Sequence, residues 1–164
     1  MPRLADWDRD KKAEKEIDPR ARDSQELIRR TLIGLSEQLA EHKEKLEAYE
    51  FIRTASYSSS RHATSNERRS EARIMGMAQE KETIQELQRM IMSYISLLRE
   101  NRVHDWEVKT KILKLRHIDR MAWQDICFQV YGDQEDYVAK FNTYKRKMFR
   151  RLETAYTNIF HYIK

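Results

Sequence analysis

Between Tyr137 and Leu152 the chain carries six basic residues and no acidic one, in the stretch YVAKFNTYKRKMFRRL. Placed on a helix at roughly 100° per residue, Lys140, Thr143, Arg146, Lys147 and Arg150 gather on one side. Val138, Phe141, Met148 and Leu152 gather on the other, with Tyr144 at the margin. A solvated surface helix ordinarily mixes charge signs. A face of one sign opposite an apolar face suits a phosphate backbone, whose oxygens Lys and Arg neutralise. Near the front of the stretch Ala139, Asn142 and Thr143 are small or polar. They leave room for close approach to base edges, where Asn and Arg can form paired hydrogen bonds. The candidate DNA-binding residues are therefore Gln134, Lys140, Asn142, Thr143, Arg146, Lys147 and Arg150.

Other chemistry has little to stand on. His62, His104, His117 and His161 are scattered without ligand spacing, and the chain has one cysteine. With no paired-cysteine or HExxH motif, no metal site is expected. No nucleophile-elbow, phosphate-loop or dinucleotide-binding glycine pattern occurs. Neither a cofactor nor an enzymatic activity is expected.

The basic stretch sits in a chain of 164 residues with a formal charge of +5. Residues 1–100 hold 19 Lys+Arg and 19 Asp+Glu, whereas residues 101–164 hold 13 and 8, so the whole excess lies in the last block. That asymmetry suggests a neutral part joined to an anion-binding part. Charged residues make up 36% of the chain and there are only 3 Gly and 2 Pro, which points to long helices and an all-α fold. No apolar run is long enough to span a membrane, and the N-terminus MPRLADWDRDKKAEKE lacks a signal-peptide core. Cys127, in an apolar helical pattern, suits a reduced core position. A cytoplasmic protein, bound to DNA and not to membrane, is the expectation.

Residues 1–22 are dense in charge of both signs and read as a flexible arm, with Trp7 as its one bulky side chain. A helix is expected to start near Asp23 or Ser24, with Glu26 in its first turn. Ile28, Leu32, Leu35, Leu39, His42, Leu46 and Tyr49 then alternate steps of four and three, a heptad seam in which His42 is the polar member. Residues 54–66, TASYSSSRHATSN, favour a loop, because Ser and Thr side chains compete for backbone hydrogen bonds. Ser65 or Asn66 can cap a second helix to about residue 100, striped by Met77, Ile84, Leu87, Ile91, Tyr94 and Leu98. The two helices form either a hairpin within one chain or coiled-coil seams between chains.

The block 101–164 reads as three helices. The first runs over residues 105–117, capped by Asp105, with Trp106, Val108, Ile112, Leu113 and Leu115 apolar. The second runs over residues 123–130, with Ile126, Cys127 and Val130 inward. The basic helix begins between Gln134 and Tyr137. Gly132 is placed for a positive φ after the second helix. Three helices with a short middle one and a basic third describe helix-turn-helix organisation. Beyond Arg151 basic residues give way to Ala155, Tyr156, Ile159 and Phe160, which predicts packing on the protein itself or on a partner.

The segment KTKILKLRHIDRMAWQDICFQVYG…YKRKMFRRL resembles the sigma-factor region-4-type helix-turn-helix of phage late-gene transcriptional regulators, the RinA and ArpU group. The likeness covers residues 105–152 and rests on Leu113-Leu115-Arg116, on the turn IDRMAWQDI and on YKRKMFRRL. It departs from the family pattern in GDQEDYVAKFN, which is longer and more acidic than the usual turn. The resemblance implies an N-terminal helical region, a C-terminal helix-turn-helix, and activation of packaging or lysis genes. Promoter or operator DNA, RNA polymerase and a second copy of the chain are the partners it implies. A small-terminase-like packaging subunit and a helical protein-interaction protein are the alternatives.

Overall fold

The structure is a computed structural model that describes residues 19–56 and 63–163. Trp7 and most of the expected arm lie outside these residues, as do the central residues of the expected loop. The described chain is all-helical, with the order α1 (Pro19–Ser56), α2 (Ala63–Glu100), α3 (Trp106–His117), α4 (Trp123–Tyr131) and α5 (Phe141–Tyr162).

Helix α1 starts earlier than expected, at Pro19 rather than Asp23 or Ser24. Proline fits the first helical turn, where its missing N–H has no partner to lose and its φ is already helical. Glu26 consequently lies inside the helix, where it pairs with Arg29 and Arg30. Helix α2 likewise starts at Ala63, so Ser65 and Asn66 belong to its first turn and not to its cap.

The helices α1 and α2 run antiparallel: His42 meets Glu80, and Gly76 lies against the Tyr49 ring. Ile28, Leu32, Leu35 and Leu39 of α1 are buried, as are Ile84, Leu87, Ile91 and Leu98 of α2. Near the α3–α5 end these residues pack into one buried cluster. Further out it thins, because α3 and α5 no longer cover the pair. Leu46, His42, Tyr49 and Met77 are only half-buried, and no residue of 40–51 or 67–83 is buried. Ile95 is fully buried where the seam expectation held Tyr94, which is only partly buried. The cause is that α2 packs against α1, α3 and α5 at once, so its apolar stripe is broader than a two-stranded seam.

The C-terminal helices share that core. Ile112, Leu113, Ile126, Cys127, Tyr131, Met148, Leu152, Ala155, Tyr156 and Ile159 join the buried residues of α1 and α2 in one cluster. The back half of α5 packs on α1, where Gln25 Nε2 donates to Thr157 Oγ1 at 2.8 Å. No helix among the described residues is long and apolar enough to cross a membrane.

Candidate nucleic-acid interface

Three of the contacts that hold helix α4 against its neighbours come from Arg116, Trp123 and Lys111. The Arg116 guanidinium stacks over the Trp123 ring at 4.3 Å and donates to the Met121 carbonyl at 3.1 Å. Trp123 packs on Phe149 of α5, their ring centroids 5.2 Å apart. Lys111 of α3 donates to the Gln129 carbonyl near the end of α4 at 3.0 Å. Gly132 follows, but its φ is −60°, not positive. It is needed for space: a Cβ there would sit 2.4 Å from the Phe128 carbonyl oxygen and 2.9 Å from its ring.

The connection from Gly132 to Lys140 is longer than a short helix-turn-helix turn, and α5 begins at Phe141, not between Gln134 and Tyr137. The connection is nevertheless packed. Tyr137 is half-buried, and its ring lies 5.8–5.9 Å from those of Phe128, Phe141 and Tyr144. The Asp136 carboxylate accepts a hydrogen bond from the Tyr144 hydroxyl and pairs with Lys140 at 3.2 Å. Those two donors hold the Asp136 carboxyl below the usual carboxylate range, and the same contact raises the Tyr144 phenol. Val138, expected on the apolar side, is instead 89% exposed, because it precedes the helix and so does not share its register.

On α5 the inward side is Tyr144, Lys145, Met148, Leu152, Ala155, Tyr156 and Ile159. Asn142, Thr143, Arg146, Lys147 and Arg150 are all exposed and form one stripe along the front of the helix. Lys140 is exposed at the position before the helix, and Gln134 is exposed within the connection. The structure thus brings five of the seven candidate residues together on α5 and leaves Lys140 and Gln134 ahead of it. Lys147 also lies 5.2 Å from the Tyr144 ring centroid, which holds its ammonium close to the helix surface.

The six cations of this stretch do not act alike. Lys145 is buried. Arg151 turns back into the protein, donating to the Tyr131 hydroxyl at 2.7 Å and to Asp105 at 3.4 Å. Asp105 stands in the N-cap position of α3 with φ 55° and makes no side-chain cap bond, since its carboxylate faces Arg151 instead. Helical spacing places Lys140, Arg146, Lys147 and Arg150 on the basic side and leaves Lys145 and Arg151 off it, but it does not name the groups that receive those two.

Between α3 and the back half of α5 lies a buried polar pair missing from the candidate residues. His117 Nε2 and the Tyr156 hydroxyl are 2.8 Å apart. Burial, with the neighbouring Arg116 charge, lowers the His117 pKa to about 4, so the imidazole is neutral at pH 7. Lys109 is also buried, which depresses its pKa, and it reaches Asn158 at 3.4 Å. Among the described residues no cluster of three or more His, Cys, Asp or Glu side chains could hold a metal. Cys127 is a buried free thiol. No protein-family model, curated protein or solved structure matches the chain.

Proposed function

We propose that the chain is a sequence-specific DNA-binding protein in which α4, the 132–140 connection and α5 work as a helix-turn-helix. The observation that carries this reading is the exposed stripe Asn142, Thr143, Arg146, Lys147 and Arg150, backed by the buried Tyr144, Met148 and Leu152. A recognition helix needs this division, with one face bonded into its own domain and the other presented to the major groove. Arg146, Lys147, Arg150 and Lys140 contact phosphates or guanine, and Asn142 and Thr143 read base edges. Gln134, in the connection, contacts the backbone. The resemblance of residues 105–152 to phage late-gene regulators supplies the biological setting, an activator of packaging or lysis genes. RNA polymerase and a second copy of the chain are then the protein partners, and α1 with α2 forms a helical hairpin that carries the DNA-binding end.

Titrating labelled duplex DNA and following fluorescence anisotropy at several salt concentrations tests the reading. Lys147→Ala should weaken binding to any duplex and lower the slope of log affinity against log salt by about one unit. Asn142→Ala should cost about 1–3 kcal/mol on a preferred sequence and little on other DNA. Wild-type protein that fails to bind any duplex at low salt rules the reading out.

A further inference from the structure

Folding gives no account of Val138. It is 89% exposed, yet the chain on either side of it is pinned. Tyr137 packs against three aromatic rings, and Asp136 is tied to Tyr144 and Lys140. Backbone bonds from Tyr137 N to Gln134 O at 3.0 Å and from Lys140 N to Asp136 O at 2.8 Å close the connection around it. The result is an apolar, β-branched side chain held out to solvent by a fixed backbone. Valine has few rotamers to lose on making a contact.

Its neighbours indicate what it meets. Ala139, Lys140, Asn142 and Thr143 follow it and are all exposed, so Val138 opens the surface that continues into the basic stripe. Asp133 and Glu135, also exposed, repel phosphate at the beginning of the connection, where the neutral Gln134 between them is the one side chain that can approach it, so Val138 and Lys140 at the far end are better placed against DNA. The front of a recognition helix meets base edges. In the major groove the one apolar group among those edges is the thymine C5-methyl. Resting on the DNA-binding reading of α5, we propose that Val138 is a specificity-determining contact that reads a thymine methyl.

The test uses full-length protein. Duplexes enriched by the wild-type chain from a random library are resynthesised with deoxyuridine replacing thymidine, one position at a time. At one position the loss of the methyl should weaken wild-type binding about fourfold, the worth of one buried methyl group. Val138→Ser should bind the thymidine duplex about as weakly as wild type binds the deoxyuridine one, with no difference between the two at that position. Its thermal melt should match wild type, since the side chain is exposed.

Wild-type indifference to deoxyuridine at every position overturns the proposal. So does a Val138→Ser protein that still distinguishes the two bases. Equal losses on both duplexes together with a changed mass in solution also overturn it, and place Val138 in a contact between protein chains. Absence of any enriched sequence removes Val138 as a reader while binding to bulk duplex, and its loss in Lys147→Ala, still decides the role of α5.

Discussion

His117 shows what a single buried side chain contributes here. Its folded pKa, about 4, lies below the ordinary value of 6.5, so the folded state favours the neutral ring. The unfolded chain therefore takes up a proton first as pH falls through about 6.5, and stability drops until about pH 4, where the folded ring titrates too. For a ring this deeply buried the full effect is on the order of 3 kcal/mol. Denaturant melts at pH 7 and pH 4.5 should show a larger loss in wild type than in His117→Gln, whose amide can face the Tyr156 hydroxyl without titrating. Equal losses in the two proteins would mean that acid sensitivity comes from groups other than His117. The same scale explains why six cations reduce to four at the surface: the Tyr131 hydroxyl and Asp105 take Arg151, and the core takes the stem of Lys145.

The junction between α4 and α5 belongs to the scale of elements. Gly132 is in ordinary helical conformation, so glycine is not required there by backbone strain but by the Phe128 carbonyl and ring. Gly132→Ala should cost about 1–3 kcal/mol through overpacking, because the atom closest to the new methyl is backbone and cannot rotate away. On the proposed DNA-binding reading of α5, it should also weaken DNA binding if relieving the contact with Phe128 moves the 132–140 connection. A variant as stable as wild type would show that α4 ends more loosely than the packing implies. The long helices present the opposite case. Among the described residues, 40–51 of α1 and 67–83 of α2 include none that is buried, because two helices alone leave each seam residue open on one side.

Taken whole, the molecule joins its neutral and basic blocks through one core. Ile159 is fully buried near the end of α5, and Gln25 of α1 bonds Thr157 two residues earlier. Ile159→Ala should lower global stability by about 2–5 kcal/mol. Trp106 and Trp123, two of the three tryptophans, lie in the C-terminal block, whereas most helical signal comes from α1 and α2. Tryptophan fluorescence and far-UV circular dichroism should therefore report one shared, lowered transition. Two separate transitions, with only the fluorescence one lowered, would show that the blocks fold independently.

The sequence alone determined the helical class, because few glycines and prolines and regular apolar spacing leave no other regular structure. It also determined the make-up of the α5 stripe, since helical periodicity places Thr143, Arg146, Lys147 and Arg150 opposite Met148 and Leu152 wherever the helix begins. Tertiary structure decided what periodicity cannot reach. The start of α5 at Phe141 depends on Tyr137 finding Phe128, Phe141 and Tyr144, contacts spread over two elements and the connection between them. Val138 left the apolar face for the same reason. The burial of Ile95 depends on three helices meeting α2, and the withdrawal of Arg151 depends on residues 20 and 46 positions away. Periodicity orients a side chain about its own helix axis; which neighbour then covers it is settled only when the helices pack.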